Sequence, residues 1–191
     1  MSKIYRLVSI IKLDEQLQCQ ILKIRNEENV RKWMLNDNLI NITDHLKWIE
    51  NLRTDKSQLN FVIIDEDYFP IGSVNLKKIN NLNKNSELGF YKTQNYTEKG
   101  IMTKCIYCLL NYSFSILKLN KIYSEVLEGN IKSINIHKKL SFNNEGFLRS
   151  QIFRDNKYIG LHLFGLLKNE WQLNQNNQNI RNDIQIEIMD V

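Results

Sequence analysis

Alanine is absent from the 191-residue chain, and proline occurs once, at Pro70. Their share goes to 26 Asn, 25 Ile and 19 Lys, against 7 Arg. That is the bias of AT-rich codons and carries no function. It leaves helix faces to Ser, Asn or Lys where Ala is usual. No apolar run approaches the ~18 residues of a membrane span. Met1–Ile11 lacks the apolar stretch and cleavage site of a secretory signal, so a cytoplasmic protein is expected. Cysteine is scarce and odd in number, at Cys19, Cys105 and Cys108, which argues against a disulfide framework. The C-x-x-C at Cys105–Cys108 has no second pair or nearby His and falls inside a helical pattern, so both are read as core-facing, with no metal. Neither a P-loop nor a Rossmann glycine fingerprint is present, which disfavours NTPase and dehydrogenase chemistry.

What is present describes a globular domain. Hydrophobic residues make up 42% and charged residues 25%, ordinary values for a folded chain. A chain of this size buries about 70% of its surface and needs no staples. The net charge of +5 is spread along the chain, as on a solvated surface, or it serves an anionic small-molecule ligand. No basic block interleaves with aromatics, so no nucleic-acid partner is expected.

Periodicity orders the elements. Ile4–Ile11 reads as a strand. Asp14–Ile24 is an amphipathic helix through Leu17, Ile21 and Ile24, and a short helix follows around Asn29–Leu35. Thr43 is the expected N-cap of a helix striped by Leu46, Ile49 and Leu52. Phe61–Ile64 and Ser73–Ile79 form a hairpin punctuated at Pro70–Gly72. After a polar turn at Asn80–Asn85 come a strand at Glu87–Lys92, a helix at Gly100–Ile116, a strand at Lys121–Leu127 and a helix at Ile131–Leu140. Phe147–Arg154 and Tyr158–Leu167 make a hairpin turned at Asp155-Asn156. The 173–191 tail is Asn/Gln-rich until Ile184–Ile188, which alternates like a strand and either pairs with a sheet edge or stays disordered. This order predicts a mixed α/β (α+β) sheet with helices on both faces, with residues 1–172 as a single domain.

Three segments carry a resemblance. They are Glu87-Leu88-Gly89-Phe90-Tyr91, then Lys99-Gly100-Ile101-Met102 opening a helix, then Asn130-Ile131-Lys132-Ser133-Ile134-Asn135-Ile136-His137-Lys138-Lys139-Leu140-Ser141-Phe142. Together they resemble the core of the GNAT N-acetyltransferases, whose last element is commonly N-x-x-[AS]-I-x-[LI]-[YH]-x-K-x-G-F. Ser141 stands at the usual Gly, and the loop keeps only Gly100 of the family's [QR]-x-x-G-x-[GA]. Arg25-Asn26, Val30–Met34, Asn36-Asp37 and His45–Glu50, with Glu145–Arg149, Lys157–Ile159 and Gly165–Trp171, further resemble one branch. Its enzymes acetylate the 4-amino group of a UDP-4-amino-4,6-dideoxy sugar on the pathway to pseudaminic acid, used in flagellin glycosylation.

The resemblance implies a GNAT-like acyl-CoA N-acyltransferase fold and direct attack of a neutral amine on the thioester of acetyl-CoA, the co-substrate. Leu88, Gly89, Phe90 and Tyr91 would face the acetyl carbonyl and pantetheine arm. Lys99, Gly100, Ile101 and Met102 would meet the pyrophosphate through backbone N–H groups at a helix N-terminus, with Met102 narrowing the approach. Asn130 and Ser133 would join the coenzyme-binding residues. His137 occupies the slot of the Tyr that protonates the leaving thiolate, and Glu125 is the expected general base. Arg25 and His45 would contact the nucleotide sugar, with Met34 and Trp48 as apolar walls. Alternatives are a ribosomal-protein N-terminal or polyamine acetyltransferase, or a catalytically weak acetyl-CoA-binding module. The expected partners are acetyl-CoA and a UDP-amino-sugar, with no membrane, the protein being a monomer or homodimer.

Overall fold

The computed structural model describes residues 4–174 in full and residues 185–189 by their backbone. The elements run β1 (Ile4–Ser9), a 3-10 turn (Ile10–Lys12), α1 (Glu15–Asn26), α2 (Glu28–Arg31), α3 (Ile42–Leu52), β2 (Leu59–Ile64), β3 (Pro70–Asn80) and β4 (Asn85–Lys92). There follow α4 (Ile101–Ser115), β5 (Lys121–Leu127), α5 (Ile131–Lys139), β6 (Asn143–Arg154), β7 (Lys157–Leu167), α6 (Lys168–Leu173) and β8 (Gln185–Met189). One mixed sheet joins the strands in the order β6-β7-β5-β4-β3-β2-β1-β8. The β4–β5 and β1–β8 pairs are parallel and the rest antiparallel.

Strand alternation builds two cores. Tyr5, Leu7, Phe61, Ile63, Val74, Leu76, Leu88, Ile122 and Val126 point to the face covered by α4 and α5. Each fully buried Leu, Ile or Phe contributes about 1.5–3 kcal/mol. Val62, Ile64 and Tyr91 point to the other face, where α1 and α3 supply Ile21, Ile24, Ile49 and Trp48. Asp14 caps α1 by accepting from the Leu17 N–H at 2.8 Å.

Two expectations change, and the tail takes one of its two readings. Asn41, not Thr43, caps α3, accepting from the Asp44 N–H at 2.8 Å. Pro70 opens β3 rather than interrupting it, opposite Ile64 at an irregular step of the ladder, where a strand tolerates proline. The tail segment does contribute a strand: β8 lies parallel to β1, with Tyr5 opposite Ile186 and Leu7 opposite Ile188. The Asp155-Asn156 turn is as read, both residues at positive φ (49° and 59°), the geometry of a two-residue hairpin turn.

Candidate functional site

The site grows from a fork in the sheet. β4 and β5 pair only at Asn85–Lys121, Ser86–Ile122 and Glu87–Tyr123. Beyond that point β4 continues along β3 to Lys92, and β5 continues along β7 to Leu127. Each arm is held by its outer neighbour, so the gap between Leu88–Lys92 and Ser124–Leu127 is lined by backbone without strand pairing across it. Ser124 Oγ donates to the Leu88 carbonyl at 3.2 Å where the arms part.

The fork opens toward the carboxyl ends of two parallel strands, where the helices that follow them begin, a usual place for ligands in such sheets. Gly100 caps α4 at φ 86° without a side-chain hydrogen bond, and a Cβ there would meet nothing within 4 Å. Gly100 has no side chain to bond the first N–H groups of this 15-residue helix, a helix end suited to a diphosphate anion. Backbone gap and helix end together fit a pantetheine arm and its pyrophosphate. Lys99 is exposed, while Ile101 and Met102 are buried in the core. Met102 therefore does not narrow the approach; with Ile106 it belongs to the apolar stripe of α4. Cys105 also faces the core, and burial raises its thiol pKa. Asn130 caps α5 by accepting from the Ser133 N–H at 3.2 Å.

The two faces of the fork differ. On the α4–α5 side His137 is 1% exposed, its ring stacked on Phe164 (4.8 Å between centroids) and edge-on to Phe142. Its Nδ1 lies 2.8 Å from the Ser133 carbonyl. A carbonyl only accepts, so Nδ1 carries the proton, and Nε2 is a buried lone pair without a partner. Burial lowers its pKa from 6.5 to about 4. The ring is neutral at pH 7 and its one N–H is already engaged. The acid role inferred from the family Tyr therefore has no available proton in this arrangement, because the Ser133 carbonyl and the rings of Phe90, Phe142 and Phe164 surround the imidazole.

On the α1 side, Tyr123 and Glu125 of β5 alternate with the core residues Ile122 and Val126. Glu125 stands two residues past the last β4–β5 pair, within electrostatic reach of Lys77, Lys78 and Tyr123. Glu87 pairs with Lys78 at 2.8 Å. The residue that caps the end of α1 reaches Thr93, just past β4. Glu27 Oε1 accepts from Thr93 Oγ1 at 2.7 Å, and its Oε2 is buried without a hydrogen-bond partner. Arg25 donates Nη2 to the Asn36 carbonyl at 2.8 Å, while Nη1 is buried and unpartnered. Burial lowers the Arg25 pKa, and Tyr91 lies within electrostatic reach.

The segment after α2 walls this side. Trp33 reaches to Gly129, its Cη2 4.0 Å from where a Cβ would stand. Arg154, at the end of β6, donates to the carbonyls of Lys32 (2.8 Å) and Met34 (2.6 Å) and pairs with Asp37 at 3.1 Å. Met34 is thus carried on this wall. His45 and Trp48 are not. His45 is 5% exposed, its Nε2 bonded to the Gln18 carbonyl at 3.0 Å and its ring 5.5 Å from Trp48. His45 is thus corrected from a substrate contact to core, while Trp48 is half-buried against the α1–α3 cluster. Glu27, Trp33, Ser124 and Arg154 were missed; their roles arise from tertiary neighbours, and only the charge of Arg154 in a hairpin strand was a signal. Among the described residues no group of His, Cys, Asp and Glu is arranged to hold a metal, and no helix is long and apolar enough to cross a membrane.

Comparison with known proteins agrees with this geometry. The profile of the acetyltransferase (GNAT) domain matches residues 8–143. Uncharacterized N-acetyltransferase p20 of Bacillus licheniformis is 30% identical over 129 residues, 67% of this chain and 72% of that protein. Spermidine N(1)-acetyltransferase of Escherichia coli K12 is 33% identical over 104 residues, 54% of this chain and 55% of that enzyme. The crystal structure of spermidine N-acetyltransferase from Vibrio cholerae in complex with CoA and spermine superposes with a TM-score of 0.80 at 23% identity, covering 90% of this chain and 98% of that one. None of these relatives is named for a nucleotide sugar, and nothing in them points to the pseudaminic acid pathway. The chain belongs to the GNAT acetyltransferase family and is an acetyl-CoA-dependent N-acetyltransferase.

Proposed function

We propose that the acceptor is a primary amine of a small polycation of the polyamine class, entering on the α1 side of the fork. The observation that carries this reading is Glu27, a carboxylate with one oxygen buried and unpartnered beside the end of β4. A buried carboxylate oxygen without a partner is costly, and an ammonium or amine N–H of the substrate would satisfy it. The E. coli relative acts on spermidine by its name, which supports the same class.

Glu125 is the general base, directly or through a water, relieving the attacking amine of its proton. Backbone N–H groups of Leu88–Tyr91 in the fork bind the acetyl carbonyl, and their direction is fixed by pairing with β3. With His137 neutral and engaged, the thiolate takes its proton from solvent. Replacing Glu27 by Gln tests the acceptor reading. KM for spermidine should rise about tenfold or more, the loss of a charge-assisted contact, while KM for acetyl-CoA stays unchanged. An unchanged KM for spermidine contradicts it.

A second reading retains the UDP-linked amino sugar, with acceptor oxygens on the phosphates. It rests on Arg25 Nη1, a buried donor without a partner. Under it, Arg25→Ala raises KM for the nucleotide sugar and Glu27→Gln does not.

A further inference from the structure

Lys77 follows the core residue Leu76 in β3, so strand alternation turns it to the α1 side of the sheet. Its partner across the ladder is Glu87, yet Glu87 pairs with Lys78, at 2.8 Å. The ladder shifts register between Lys77 and Asn80, and Lys78 adopts φ 50°. Two successive lysines thus meet one carboxylate, and Lys78 takes it. Among the described residues no hydrogen bond or ion pair holds the Lys77 ammonium.

The Lys77 side chain lies over Gly89. A Cβ on Gly89 would stand 3.3 Å from Lys77 Cε and 2.4 Å from Asn75 Oδ1. Gly89 is two residues past the last β4–β5 pair, the level that Glu125 holds on the other arm. The amine, one bond beyond Cε, is therefore close to the backbone that lines the gap, on the side where Glu125 stands. Lys77 is exposed, but the walls around it strip part of its hydration and lower its pKa. Arg25 and Lys78 act in the same direction, and Glu87 and Glu125 oppose it. A larger share of Lys77 is thus the neutral amine, the form that attacks a carbonyl.

We propose that Lys77 is a self-acetylation site: without an acceptor amine, its Nζ takes the acetyl group from acetyl-CoA bound to the same chain. The proposal rests on the acetyl carbonyl seating along Leu88–Tyr91. Neutral Nζ attacks the thioester carbon. A C–N bond forms and the C–S bond breaks. Coenzyme A leaves as thiolate and takes up, through solvent, the proton that Nζ sheds. Lys77 ends as an uncharged acetyl-lysine, and no further reactant is needed.

The test incubates the full chain with acetyl-CoA and no amine, and follows thiol release and peptide mass spectra. One equivalent of coenzyme A thiol should appear per chain, with a rate constant independent of protein concentration. The acetyl group should map to Lys77, at least about tenfold faster than to Lys138, an exposed lysine outside the fork, because only Lys77 is held beside the thioester. Excess coenzyme A, which fills the same seat without an acetyl group, should protect Lys77 and not Lys138. Lys77→Arg, which keeps the charge and accepts no acetyl, should lose the equivalent of thiol; the wild-type map decides should that variant fail to fold. Lys77 labelled no faster than Lys138, or labelled equally with excess coenzyme A, overturns the proposal. Labelled Lys77 in a chain that does not turn over spermidine upholds the proposal and contradicts the polyamine reading alone.

Discussion

Ser124 Oγ reaches across to the carbonyl of Leu88 at 3.2 Å, at the point where β4 and β5 separate. Ser124 is 4% exposed and Leu88 is 3% exposed, so the bond closes the apex of the fork in a dry setting. Ser124→Ala orphans a buried carbonyl, which costs about 1–3 kcal/mol. The expected outcome is a melting temperature lower by several degrees, about 2–4 °C per kcal/mol at this chain length, measured by thermal circular dichroism. An unchanged melt contradicts the role given to this bond.

The proposed role of Glu125 is that of the general base for the amine. Glu125→Gln should lower kcat about 100-fold, the usual contribution of a general base, with KM for acetyl-CoA unchanged. Steady-state kinetics at saturating coenzyme decide it; a variant within twofold of wild-type kcat leaves Glu125 as a strand carboxylate only.

His137 stabilises the fold only while neutral. Its folded pKa, about 4, lies below the ordinary 6.5, so the unfolded chain takes up the proton first as pH falls. The stability tied to this group is fully present above about pH 6.5 and is lost between about 6.5 and 4, a fall of about 3 kcal/mol. His45, also depressed by burial, acts in the same direction. His137→Phe should flatten this acid slope in urea titrations and leave kcat near wild type. A Phe variant with the wild-type slope, or with kcat reduced 100-fold, contradicts the account.

Ser141 explains its own departure from the family pattern. It adopts φ 64° where relatives usually carry Gly, and its hydroxyl accepts from Asn174 Nδ2. Left-handed backbone costs a side-chain residue about 1–2 kcal/mol, and a β-branched residue resists it most. Ser141→Val should therefore melt lower than Ser141→Gly, with a gap of at least about 1 kcal/mol; equal melts contradict the strain.

The sheet was legible because its strands alternate or run apolar between turn residues. Lys121–Leu127 is bounded as read, and the fork follows from a parallel β4–β5 pair in a family-like core. The cap of α3 was displaced because Asn41 and Thr43 are both good caps and only the backbone chooses between them. His45 was misassigned although its spacing held the answer, and the same spacing puts Trp48 against the α1–α3 cluster. His45 with Ile49, and Trp48 with Leu52, lie four apart on α3, and all four pack on the α1 side or against its core. Met102 carried the same helical signal with Ile106. Glu27 and the place of Lys77 over Gly89 were not legible. Each depends on a neighbour outside its own element, Thr93 for Glu27 and β4 for Lys77, and no local pattern marks them.

The central claim is that an acetyl group passes from acetyl-CoA to a polyamine amine at this fork. The direct measurement is release of coenzyme A thiol with acetyl-CoA and, in parallel, spermidine, a UDP-4-amino-4,6-dideoxy sugar and a peptide with a free N-terminus. The account predicts the highest kcat/KM with spermidine, reduced about tenfold or more by Glu27→Gln. A higher kcat/KM with the UDP sugar or the peptide, or no thiol release with any amine, contradicts it.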